Sequence, residues 1–119
     1  MDAQGQAAIV VADDDPALRL LCRVNLELDG YRVLEAADAQ ELERVMAAED
    51  VDGVLLDIRF GPDDGVALAR TLRERHPDVP IAFLSGSLDR GQEGPVEGFL
   101  PKPFTLEALA STVQRLVRS

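Results

Sequence analysis

Five residues of this chain have types and positions that can do chemistry together: Asp13, Asp14, Asp57, Ser85 and Lys102. Asp13 and Asp14 open a run of three aspartates that ends the apolar stretch in "VVADDDPALR". Carboxylates converging in one crevice raise each other's pKa or require a cation. A hard divalent ion answers that need, and Mg²⁺ (or Mn²⁺) takes one or two carboxylates together with waters and phosphate oxygens. A carboxylate can also act as a nucleophile and form an aspartyl phosphate. Asp57 is the candidate for that step. The divalent ion, the Lys102 ammonium and the Ser85 hydroxyl would then share the charge of the phosphoryl oxygens. Lys102 is the single lysine; the remaining cations of the 12 are arginines.

The elements that must position these residues are legible as alternating apolar runs and helical stripes. "AAIVVA" (7–12) reads as a strand buried on both faces. Asp15 followed by Pro16 reads as an N-cap and a first helical position, so the helix terminus offsets the Asp15 charge while a metal offsets Asp13 and Asp14. Leu18, Leu21, Cys22 and Leu28 give that helix an apolar stripe, with Asn25 a partly buried polar member, and Gly30 stops it. "YRVLEA" (31–36) is a second strand. Asp38 with Glu41 resembles a capping box for a second helix, with Leu42, Val45 and Met46 inward.

"GVLLD" (53–57) is a third strand, and "IRFGPDDG" is a loop with strong turn chemistry. A third helix runs from Asp64 with Val66, Leu68, Ala69 and Leu72 inward and stops before Pro77, where His76 is an ordinary helix-end cation. "PIAFLSG" (80–86) is a fourth strand and "GFLPKPF" (98–104) a short fifth one. Thr105 caps a last helix whose stripe is Leu106, Leu109, Ala110, Val113, Leu116 and Val117. Strands alternating with helices predict an α/β fold with a doubly wound five-stranded parallel sheet, and all five candidate residues fall at C-terminal strand ends, where such sheets place their sites.

The 119 residues fit one domain, expected over 7–119 with a flexible N-terminus over 1–6. Hydrophobic content of 46% with 4% aromatic predicts a mostly aliphatic core. A net charge of −10, with no basic cluster, excludes nucleic acid and anionic lipid surfaces as partners. The lone Cys22 allows no internal disulfide and reads as core. With no signal peptide and no long apolar run, the expected location is cytoplasmic. The chain reads as a stand-alone unit or one excised from a longer protein.

"VVADDDPALR", "VLLDIRFGPDDG", "FLSG" and "FLPKPF" together resemble the receiver domain of two-component response regulators, over residues 8 to 117. That resemblance implies a (βα)5 flavodoxin-like fold like that of the chemotaxis regulators. It implies a phosphoacceptor regulator rather than an enzyme, apart from Mg²⁺-dependent self-phosphorylation and dephosphorylation. Asp57 would accept a phosphoryl group from a histidine kinase or histidine phosphotransfer protein and so change interactions with a downstream partner. Asp14 is implied as a direct metal ligand, Asp13 as one acting mostly through water, and Arg59 as the donor of a backbone carbonyl. Ser85 and Phe99 are the implied switch residues, Lys102 the implied phosphoryl partner, and the Lys102–Pro103 peptide is implied to be cis. The state implied is a monomer or weak dimer.

Three departures stand out. The usual Met-Pro after the phosphoacceptor is replaced by Phe60-Gly61, with the proline at 62. Phe99 lacks the tyrosine hydroxyl. The stretch from Ser85 to Lys102 is short and rich in glycine and proline, so the fourth helix is expected to be missing or cut to about one turn; this resembles receivers of hybrid histidine kinases. A flavin carrier needs a phosphate loop where this chain is acidic. A haloacid-dehalogenase-type phosphatase needs its nucleophile after the first strand in a longer chain. The alternative that stays open is a pseudo-receiver, a phosphorylation-independent protein-binding module of the same fold.

Overall fold

A computed structural model describes residues 6–86 and 96–118. The described elements run in the order β1 (Ala8–Ala12), α1 (Pro16–Leu28), β2 (Arg32–Ala36), α2 (Ala39–Ala48), β3 (Gly53–Asp57), β4 (Arg59–Phe60), β5 (Asp63–Asp64), α3 (Gly65–Arg75), β6 (Ile81–Ser85), β7 (Gly98–Pro101) and α4 (Leu106–Arg118). The main sheet has five strands in the order β2-β1-β3-β6-β7. Every neighbouring pair is parallel. The expected α/β class and five-stranded parallel sheet are therefore present. The expectations for the first residues of the chain and for a reduced fourth helix fall on 1–5 and 87–95, outside the described residues.

The apolar runs work as strands because their side chains alternate between two cores. Ile9, Val11, Leu55, Ala82 and Leu84 join Cys22, Leu26, Leu109, Val113 and Leu116 on the face covered by α1 and α4. Val10, Val54, Leu56, Ile81 and Phe83 join Leu42, Met46, Ala69 and Leu72 on the face covered by α2 and α3. Burial on both faces is why these strands read as continuous apolar runs rather than alternating ones. β1 sits between β2 and β3, so the chain reverses its winding direction between β1 and β3. The crevice at that switch opens at the ends of the strands carrying Asp13 and Asp57.

The helix starts follow their capping residues. Asp15 Oδ1 accepts from the Ala17 and Leu18 N–H groups, and Asp38 accepts from Glu41 N–H. The reciprocal arm from Glu41 reaches the Ala37 N–H at 2.7 Å, one residue ahead of the cap itself. Asp64 caps α3 through Val66 N–H, and Thr105 Oγ1 accepts from Ala108 N–H. Asn25 donates to the Leu21 carbonyl, as expected of a polar residue on the α1 stripe.

Three expectations need correction. The inward stripe of α1 is Leu18, Cys22 and Leu26; Leu21 is 43% exposed and Leu28 79% exposed. A strict four-residue step from Leu18 keeps the stripe over the sheet, whereas Leu21 and Leu28 fall on the opposite flank. Leu106 is likewise exposed at the first turn of α4, while Thr112 is buried in its stripe. Finally, the stretch after Asp57, expected as a loop with strong turn chemistry, keeps its turn but flanks it with two short strands. Arg59 and Phe60 pair antiparallel with Asp64 and Asp63, with Gly61 at φ +61° in the turn. Phe60 is fully buried in the α2/α3 core, which anchors the hairpin.

Candidate functional site

Asp13 follows β1 directly, and its N–H continues the ladder to the Ala36 carbonyl of β2 at 3.1 Å. The side chain is fully buried. Asp57 ends the neighbouring strand β3 and is 6% exposed. Pairing of Ala12 with Leu56 puts the two aspartates side by side at one sheet end. Asp14 projects at the rim, exposed. One carboxylate oxygen from each of Asp13, Asp14 and Asp57 lies within 4.8 Å of the other two. The sequence placed these three residues together, and the structure does the same.

Lys102 enters from the far side. It follows edge strand β7, whose end is tied to β6 by the Lys102 N–H to Ser85 carbonyl bond of 2.7 Å. The Lys102–Pro103 peptide is cis, as the resemblance implied. The ammonium donates to Asp13 Oδ2 at 2.9 Å and to Asp57 Oδ2 at 3.2 Å. Lys102 thus gives Asp13 a counter-charge in addition to the cation that the sequence reading assigned to the acidic pair. Asp13 Oδ1 accepts from Asp15 N–H, and Asp57 Oδ1 accepts from Arg59 N–H.

The electrostatics follow from this packing. Burial, reinforced by the charge of Asp13, raises the Asp57 carboxyl above its ordinary pKa; the Arg59 N–H and the Lys102 ammonium pull the other way. Burial pulls Lys102 down, but hydrogen bonding and charge from Asp13, followed by Asp57, outweigh it and leave the ammonium raised. Cys22 packs beneath the site, and burial pushes its thiol up to about 12, so it is a core thiol.

Ser85 ends β6 and is buried, with its hydroxyl donating to the Gly86 carbonyl at 3.2 Å. Phe99 lies on β7, is 44% exposed, and tilts against Phe83 with ring centroids 5.7 Å apart. The Arg59 carbonyl accepts from Gly61 N–H at 3.2 Å, within the turn that follows Asp57. Two site residues were missed by reading the sequence. Gly65 starts α3 against β3, where an added Cβ would lie 2.7 Å from the Ile58 carbonyl oxygen. Arg19 reaches back from α1 to the Asp13 carbonyl at 2.7 Å. An arginine one turn into the helix after the acidic run is the signal that could have found it.

The donor set suits a hard cation: three carboxylates that each offer an oxygen to a common point. Comparison with known proteins agrees in kind. The family pattern described as the response regulator receiver domain matches residues 9–114. The Sensor kinase CckA of Brucella abortus is 36% identical over 98% of this chain and 13% of its own length. The Response regulator MprA of Mycolicibacterium vanbaalenii is 36% identical over 92% of this chain and 50% of its own length. The chain therefore spans half or less of these curated relatives. The chemotaxis response regulator CheY4 of Vibrio cholerae superposes with a TM-score of 0.85 at 28% identity, covering 93% of this chain and 98% of that one.

Proposed function

This chain belongs to the response regulator receiver domain family, and we propose that Asp57 is its phosphoacceptor in a two-component phosphorelay. The observation that carries this reading is the bridge from Lys102 to both Asp13 and Asp57 beside a third carboxylate. A buried carboxylate next to a positioned ammonium and a cation site is a nucleophile prepared for a phosphoryl group.

In the proposed step an Asp57 carboxylate oxygen forms a bond to phosphorus while the bond from phosphorus to a donor imidazole nitrogen breaks. The electron pair of that bond returns to the imidazole, which takes up a proton. Asp13, Asp14, Asp57 and the Arg59 carbonyl would hold Mg²⁺, which when bound neutralises charge on the phosphoryl oxygens. Lys102 stays ionised and is free to move from Asp57 Oδ2 to a phosphoryl oxygen while Asp13 keeps it in place. Ser85 supplies a hydroxyl at the next strand end, and Phe99 is the neighbour whose exposed ring can respond.

The partners proposed are a histidine kinase or phosphotransfer protein upstream and a protein target downstream, in the cytoplasm; among the described residues no helix is long and apolar enough to cross a membrane. Intact-mass spectrometry after incubation with acetyl phosphate and Mg²⁺ tests the reading. Wild type should gain one phosphoryl group and Asp57→Asn none. Equal labelling of the two proteins removes Asp57 from the role, and no labelling of wild type favours a phosphorylation-independent binding module.

A further inference from the structure

All four polar groups of Asp13 are engaged. Its N–H donates to Ala36, Oδ1 accepts from Asp15 N–H, Oδ2 accepts from Lys102, and its carbonyl accepts from Arg19 Nη1 at 2.7 Å. That carbonyl belongs to the rigid peptide plane whose other half is the N–H of Asp14. Whatever holds the Asp13 carbonyl therefore sets the direction from which the Asp14 side chain leaves the backbone. No other residue of α1 reaches this peptide among the described hydrogen bonds. Arg19 sits on the fourth residue of α1, where a long side chain directed toward the helix N-terminus returns to the preceding turn.

The guanidinium does not stand alone. Arg19 Nε donates to Glu35 Oε1 at 3.0 Å, and the two side chains are 15% and 28% exposed. Glu35 Oε2 accepts from Arg23 at 3.0 Å. Glu35 is fixed on β2 opposite Val11, two residues before Asp13. Its carboxylate keeps the Arg19 fork turned toward the backbone. Without it, a cation this close to three aspartates is free to pair with their carboxylates and compete with a divalent ion.

We propose that Arg19, oriented by Glu35, is a positioning residue that fixes the Asp13–Asp14 peptide and thereby the cation-binding geometry of the acidic pair. The proposal rests on the reading of the site given above. Arg23 shares Glu35 but makes no hydrogen bond to Asp13 among the described residues, so it separates positioning from general support of α1.

Mg²⁺ titrations of the full chain, followed by the amide chemical shifts of residues 13–15 and 57, decide the matter. Arg19→Ala should weaken Mg²⁺ about tenfold, the lower end of what loss of an outer hydrogen-bond partner does to metal affinity. Arg19→Lys keeps a donor for the carbonyl and should recover most of the loss. Glu35→Gln should weaken binding less than Arg19→Ala, and Arg23→Ala should bind as wild type does. If Arg19→Ala fails to fold, Arg19→Lys and Glu35→Gln carry the comparison, and wild-type affinity in Glu35→Gln overturns the proposal. Affinity within about twofold of wild type in Arg19→Ala, or an equal loss in Arg23→Ala, overturns it too. Absence of Mg²⁺ binding by the wild-type chain would instead count against the site reading itself.

Discussion

Lys102 touches Asp57 across a strand: Nζ lies 3.2 Å from Oδ2, although β3 and β7 are separated by β6. The reach is set by β7, whose end is hydrogen-bonded to Ser85, and by Asp13, which anchors the same ammonium. Removing that ammonium leaves two buried carboxylates side by side. Lys102→Met should therefore move the Asp57 titration upward from its already raised position, as followed by carboxyl carbon NMR in chelator. An unchanged or lowered titration would show that Lys102 does not govern the pair.

Asp57 itself should destabilise the fold at neutral pH. Its folded pKa is raised above the ordinary 3.8, by burial first and Asp13 second. A group so shifted holds its proton longer in the folded chain. Its contribution is full below the unfolded value and is lost as pH rises through the folded one. Asp57→Asn in chelator should melt higher than wild type at pH 7, and the gain should shrink as pH falls toward 3.8. A lower melting temperature at pH 7, or a gain independent of pH, contradicts the assignment.

A bound cation relieves the same repulsion. A ligand that binds the folded chain alone stabilises it by mass action, about 2.7 kcal/mol at a hundredfold excess over Kd. Millimolar Mg²⁺ should raise the melting temperature of wild type, and Asp14→Ala should erase most of the rise. Asp14 is exposed and makes no part of either core, so its removal tests the cation site with little effect on packing. An equal Mg²⁺ effect in both proteins would sink the claim.

Gly65 brings α3 against the strand end that carries Asp57. Its N–H donates to the Ile58 carbonyl at 2.7 Å, and an added Cβ would meet backbone of Asp57 and Ile58 rather than a flexible side chain. Backbone cannot yield as a side-chain tip does, so Gly65→Ala should destabilise by at least the 1–3 kcal/mol or so of ordinary overpacking. Urea unfolding measures it; a change below about 0.5 kcal/mol would mean that the helix backs away freely.

Most of this architecture was legible because its signals are local. The apolar runs of β1, β3 and β6 needed no partner to be read, and the caps at Asp15, Asp38, Asp64 and Thr105 act within three residues. The gathering of Asp13, Asp14 and Asp57 followed from their places at strand ends. Other features depend on contacts that spacing does not encode. Lys102 pairing with Asp13 spans 89 residues, and the Arg19 link to Glu35 joins a helix to a strand. The hairpin of β4 and β5 places Phe60 in the α2/α3 core, a contact far from its own turn in sequence.

The rotation of α1 shows that same limit and provides a paired test. Leu26 and Leu28 are the same residue type two positions apart, about 200° around the helix. Leu26 is fully buried among Cys22, Val33 and their neighbours, while Leu28 is 79% exposed next to the C-terminal cap. Leu26→Ala loses both its burial and the packing around it, which amounts to about 2–5 kcal/mol for a core leucine. Leu28→Ala exchanges one exposed side chain for a better helix former and should stay within about 0.5 kcal/mol of wild type. Urea unfolding of the two variants separates the stripe through Leu18, Cys22 and Leu26 from the one through Leu21 and Leu28. Comparable losses in both variants would place Leu28 in the core and reject the rotation seen here.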